Sequence, residues 1–174
     1  MKPMLDATAG NRMIWGKNKN QDIDNCVFID IEYKLAVPPD IFASSEYAPF
    51  RDGVFSCVIF DPPWGLNMPP WWFKPESKGN FYGNFTSKRK MIKYLDNSRK
   101  EFTRLTQRVC MKWGERNVSL WSILGIFTRN GWNEVFRKET NGIDSQTKNY
   151  WITLVRTKTI NCAEDLQDDP DGEN

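Results

Sequence analysis

The sequence predicts an α/β protein built on an open, mostly parallel sheet. Two observations carry this: short apolar strands alternate with turns of small and polar residues, and residue types suited to holding a ligand stand only at the carboxyl ends of those strands. At 174 residues and 40% apolar content the chain reads as one domain with a sizeable core.

Pro3-Met4-Leu5 reads as a first strand ending at Asp6. The turn Asp6-Ala7-Thr8-Ala9-Gly10-Asn11-Arg12 follows, and Met13, Ile14 and Trp15 begin a brief helix. Small residues around Gly10 let backbone come close to a ligand, and the helix offers free amides to a carboxylate. The second strand, residues 26–29, ends in Asp30-Ile31-Glu32, where an acid is placed to accept hydrogen bonds from both hydroxyls of a ribose. A solvated strand end is the plainer alternative. Pro38-Pro39 is a rigid linker, Asp40-Ile41-Phe42-Ala43 a third strand ending in Ser44-Ser45, and residues 48–53 a turn into the fourth strand, 55–60.

That strand runs into Phe60-Asp61-Pro62-Pro63-Trp64. Two prolines fix the backbone beyond the strand, so the carbonyls of Asp61 and Pro62 have no ladder duties. A carboxylate, a carbonyl and an indole side by side suit a flat, amine-bearing ring: two acceptors for the amine and one face for stacking. A proline-rich exit with a core tryptophan is the structural alternative. Residues 65–86 are too rich in Pro, Gly and aromatics for a plain connector. Trp71, Trp72, Phe73, Phe81, Tyr82 and Phe85 offer stacking surfaces, with Lys74, Lys78 and the cluster Ser87-Lys88-Arg89-Lys90 beside them, a mixture suited to gripping a flipped base or single strand. Some of these rings are expected to be core.

A scaffold helix is expected over 90–107, from Met91, Leu95, Phe102 and Leu105 at helical spacing. Val109-Cys110-Met111 is a fifth strand ending at Lys112-Trp113-Gly114. Lys112 reads either as a phosphate contact or as a solvated strand-end lysine. A helix over 119–130 starts on a capping serine, and residues 132–137 and 150–156 make a final hairpin around a polar loop near the ligand edge.

Absence of histidine removes Ser-His and Cys-His catalysis and the usual zinc sites, so no metal is expected. Cys26, Cys57 and Cys110 sit in apolar runs and read as buried thiols. No apolar run nears the ~20 residues that span a bilayer, and no signal peptide opens the chain, which implies a soluble, intracellular, cytoplasmic protein. Residues 158–174 carry one lysine and six acids, leaving a body with 23 basic and 16 acidic residues. The tail, 157–174, reads as disordered, and the basic body fits a polyanion such as nucleic acid or is ordinary surface charge.

The order of these motifs resembles class I S-adenosylmethionine-dependent methyltransferases, and Asp61-Pro62-Pro63-Trp64 resembles the signature of amino-methyltransferases acting on adenine, in particular small stand-alone members from phage and microbial genomes. The resemblance covers residues 1–156. It implies a Rossmann-like, mostly parallel seven-stranded sheet with an antiparallel edge strand, and S-adenosylmethionine as cofactor. Asp6, Ala7, Thr8 and Gly10 fall where the family holds the methionine part of the cofactor. Asp30 and Ile31 fall at the ribose position, with Glu32 as the other candidate acid, and Asp61 adjoins the cofactor. Ser44 stands where an acid usually touches the cofactor's adenine, and Arg12 replaces the turn's second glycine; both are departures. Catalysis falls to Asp61, Pro62, Pro63 and Trp64, and substrate binding to Trp64, Trp71, Trp72, Phe73, Lys88 and Lys112. Activity is then methyl transfer to adenine N6 in DNA or RNA. Transfer to cytosine N4 or a protein glutamine, and a silent nucleic-acid-binding module, are the alternatives. No separate recognition domain is visible, so the expectation is loose specificity, recognition of a structured RNA, or a protein partner for target choice.

Overall fold

The computed structural model describes residues 1–18, 23–67, 84–141 and 147–157. Strands β1 (Met4–Asp6), β2 (Cys26–Asp30), β3 (Ile41–Phe42), β4 (Cys57–Phe60), β5 (Gly65–Leu66) and β6 (Asn84–Phe85) precede helix α1 (Lys88–Leu105). Then come β7 (Arg108–Glu115), helix α2 (Leu120–Thr128), β8 (Trp132–Asn141) and β9 (Lys148–Arg156), while a short 3-10 helix, Met13–Asn18, follows β1.

Seven strands form one sheet in the order β3-β2-β1-β4-β7-β9-β8. β1 to β4 and β7 pair in parallel, and β9 runs antiparallel to both β7 and β8. The mostly parallel seven-stranded sheet with its reversed strand at one side is therefore the architecture, with hairpin β8–β9 at the edge. β5 and β6 pair in parallel on their own, which ties together the two ends of the 65–86 segment.

Both helices pack on one face of the sheet. Alternation along each strand sends Leu5, Val58, Phe60, Val109, Met111, Ile152 and Leu154 to that face, all 0–1% exposed. α1 meets them with Met91, Leu95, Phe102 and Leu105, and α2 with Leu120, Ile123, Leu124 and Phe127, each set at helical spacing. α1 begins at Lys88, two residues before the expected start, because Ser87 accepts a hydrogen bond from the Lys90 amide and caps it. Gly131, at φ 81°, ends the turn after α2.

The opposite face carries no long helix among the described residues. The 3-10 helix covers its β1–β2 part, where Trp15 packs edge-on against Phe28. This corrects the expectation of three buried thiols. Cys57 is buried, but Cys26 and Cys110, on the same thinly covered face, are only half-buried. All three are free, and Cys57 and Cys110 stand 3.6 Å apart. Among the described residues no helix is long and apolar enough to cross a membrane.

Candidate active site

β1 lies between β2 and β4, and the strand order reverses between β1 and β4. The connections from these two strands diverge, opening a crevice beyond their carboxyl ends. A cavity of about 580 Å³ fills that crevice. Its walls are the 7–11 turn, Asp30-Ile31-Glu32, residues 43–46, residues 61–65, and Asn84, Phe85, Tyr94 and Lys112.

The turn is fixed from several sides. The Ala7 amide donates to Ile59 O and the Ala9 amide to Ile29 O, so the loop is hung from both neighbouring strands. Gly10 adopts φ 48° and its amide donates to Asp30 Oδ2 at 2.8 Å. Arg12 also sits in the left-handed region, φ 54°, which explains why a glycine would suit that position. Its side chain leaves the cavity instead of blocking it: the guanidinium lies 3.8 Å over the Phe28 ring, reaches Pro38 O and pairs with Asp40 at 3.7 Å. That stacking offsets a backbone cost of about 1–2 kcal/mol.

Asp6 does not line the cavity. It is 0% exposed beneath the turn, where Oδ2 accepts from Trp15 Nε1 at 2.8 Å and Oδ1 from the Thr8 amide. Its place is that of a brace for the turn. Burial pushes its carboxyl up to about 6, against the lowering by those two hydrogen bonds, with Asp61 and Asp30 adding to the rise. A folded-state value above the unfolded 3.8 means that the folded chain binds this proton more tightly. The stability from Asp6 is thus full below pH ~4 and lost as pH rises through about 6. Between pH 5 and 7.5 the loss is roughly 1 kcal/mol. Urea unfolding of the wild type and Asp6→Asn at both pH values is expected to show that loss in the wild type only.

At the end of β2, both Asp30 oxygens already hold backbone: Oδ2 takes Gly10, and Oδ1 takes the Glu32 amide at 2.8 Å. A carboxylate has about four acceptor positions, so a diol can share it. Beside it Ile31 is 71% exposed on the cavity rim, an apolar surface suited to a flat ring. After β3, Ser44 lines the cavity and its Oγ accepts from the Glu46 amide. Glu46 itself lines the cavity too, held by Asn97 Nδ2 at 2.9 Å. An acid therefore does stand after the third strand, two positions beyond the serine. Ser45 is buried and bonded to Tyr94 Oη (2.8 Å) and Ser98 Oγ (3.0 Å), which fastens this wall to α1.

Asp61, Pro62, Pro63 and Trp64 form the facing wall. The Asp61 amide donates to Thr8 Oγ1 at 2.8 Å, joining the turn after β1 to the exit of β4. Lys112 Nζ contacts Asp61 Oδ2 at 3.0 Å. Lys112 thus faces the cavity and pairs with Asp61 instead of standing free at a strand end. Burial raises the Asp61 carboxyl above its usual range, and Lys112 pulls it back down by charge and hydrogen bond. Trp64 lies flat on Gly114: a Cβ there would meet ring atoms Cδ2 and Cε2 at 2.9 Å.

No protein-family model matches the chain, and no curated protein matches its sequence. Solved structures do match. A geranyl diphosphate methyltransferase in complex with SAM shares 9% identity over 90% of this chain and 78% of its own, with TM-score 0.55. The N-methyltransferase NodS from Bradyrhizobium japonicum WM9, in complex with S-adenosyl-l-homocysteine, shares 10% identity over 89% and 76%, with TM-score 0.51. This chain has the Rossmann-like methyltransferase fold.

Within that fold, Ala7, Thr8, Gly10, Asp30, Ile31, Ser44, Asp61, Pro62, Pro63, Trp64 and Lys112 meet around one cavity. Lys88 is exposed at the start of α1 and does not line it. Trp71, Trp72 and Phe73 lie outside the described residues, as does the tail from 158. Sequence reasoning missed Glu46 and Tyr94. For Glu46 the signal was present in its place just after β3; for Tyr94, one hydroxyl among the apolar positions of α1 gave none.

Proposed function

We propose that the chain is an S-adenosylmethionine-dependent methyltransferase acting on the exocyclic N6 of adenine in DNA or RNA. The observation that carries this reading is that Asp61 and Trp64 share one cavity with the 7–11 turn and with Asp30. The lining fits the cofactor by its chemistry: acids for a diol, apolar Ile31 and Met13 for a flat ring, and a turn of small residues around Gly10 that leaves room for close approach. Asp30 and Glu32 would hold the ribose, residues 7–10 the methionine part, and Ser44 with Glu46 the ring edge.

When bound, S-adenosylmethionine supplies an already activated methyl group, so the protein needs no nucleophile of its own. An aromatic amine is a weak nucleophile because its lone pair spreads into the ring. Asp61 Oδ1 and the Pro62 carbonyl accept hydrogen bonds from its two N–H groups, which favours a pyramidal nitrogen with a localised lone pair; one proton leaves to water as the methyl arrives. Lys112 occupies Oδ2, which favours the carboxylate form against the effect of burial and leaves the other oxygen for the amine. Trp64, seated on Gly114, stacks on the base.

Lys112→Met removes the charge that holds the Asp61 carboxyl down, so the acid limb of the pH–rate profile is expected to move to higher pH. Activity lost at the acid end returns as the pH is raised, and Lys112→Arg keeps the wild-type limb. An unmoved limb in Lys112→Met contradicts the assignment. The test of the cofactor itself is calorimetric titration of S-adenosylmethionine: micromolar binding is expected, weakened at least tenfold in Asp30→Ala. No binding, with or without nucleic acid, overturns the proposed function.

A further inference from the structure

We infer that the first two turns of α1, through Lys88, Arg89, Lys90 and Lys93, form the surface that holds a nucleic-acid backbone at the mouth of the cavity. This rests on the substrate class proposed above. All four side chains are exposed. None makes an ion pair with another described residue.

The rest of the same helix behaves differently. Arg99 and Lys100 pair with Asp96 at 2.9 and 3.0 Å, and Arg104 pairs with Glu101 and Asp52 at 2.6 and 3.0 Å. Cations in the later turns have structural partners; those in the first turns have none among the described residues. The unpaired ones also stand at the wrong end. Positive charge near a helix N-terminus opposes the macrodipole, and the first turn of α1 contains no acid to offset it. The described part of the fold gains no ion pair from this cluster, which leaves it available to an external anion.

Position and shape select the kind of anion. Lys88 follows Phe85 by three residues, and Phe85 and Tyr94, rings 5.5 Å apart, both line the cavity. The cluster rises about 8 Å along the helix, long enough for successive phosphates of one strand. Insertion into a membrane surface would need a free apolar face beside the cations. Met91 and Leu95 are fully buried against the sheet and Ile92 packs against the core beside them, which leaves no free apolar face on these turns.

The test is anisotropy titration of a labelled single-stranded oligonucleotide over a range of salt concentrations. Glutamine at all four positions is expected to lower the slope of log affinity on log salt by about three to four. Lys100→Gln is expected to leave the slope unchanged, and both variants to keep wild-type affinity for S-adenosylmethionine. A fourfold variant with the wild-type slope, or an equal loss in Lys100→Gln, overturns the inference while leaving the substrate proposal standing. So does binding to phosphatidylserine vesicles that depends on the four cations when oligonucleotide binding does not. A wild-type chain that binds S-adenosylmethionine but no oligonucleotide overturns the substrate proposal, and this surface with it.

Discussion

Asp61→Ala is expected to lower methyl transfer to adenine by about 10²–10³-fold or more, the scale for removing one fixed polar partner of the reacting group. The carboxylate is the charged acceptor on this wall, and nothing beside it replaces Oδ1. The fold should survive. Lys112 loses its partner, yet its side chain is 29% exposed and can take up water. The Asp61 amide bond to Thr8 is backbone and does not depend on the side chain. Steady-state rates together with circular dichroism separate a catalytic loss from an unfolding one. Full activity in Asp61→Ala contradicts the mechanism outright.

Gly114→Ala is the second large expectation, and it touches no polar group. The added Cβ would sit 2.9 Å from two Trp64 ring carbons, closer than carbon atoms approach without something moving. Gly114 lies in β7, paired with Asn149 of β9, so the ring yields before the strand does. A stacking platform displaced by a fraction of an ångström to one ångström lowers transfer by roughly 10–100-fold. Stability falls by about 1–3 kcal/mol, as for other overpacked sites. Binding of S-adenosylmethionine is expected to change little, because the 7–11 turn and Asp30 lie across the cavity. Unchanged transfer in this variant would show that Trp64 is core packing and not a platform for the base.

Much of this site could be read along the chain because each wall is a strand followed at once by its own turn. Asp6, Asp30 and Asp61 declare themselves by ending apolar runs, and β1, β2 and β4 bring those ends together. Pairings between distant walls could not be read that way. Nothing local tells Lys112 that it meets Asp61, and it looked solvated because Lys-Trp-Gly resembles a strand exit. β7 instead continues to Glu115, since β9 pairs with it beyond the last residue of its parallel neighbour β4. Similarly, β8 runs on to Asn141 through Arg137-Lys138-Glu139, charges that suggested a strand end but belong to an exposed sheet edge. Arg12 looked like a defect in the turn. Its left-handed backbone and its stacking on Phe28 show the chain keeping a glycine's conformation while using the side chain as a clamp.

Incubating the protein with S-adenosylmethionine carrying a labelled methyl group and with DNA or RNA, followed by digestion to nucleosides, tests the central claim most directly. Label is expected in N6-methyladenine, and none with Asp61→Ala. Label in cytosine, or none in nucleic acid from a chain shown to bind S-adenosylmethionine, would contradict it.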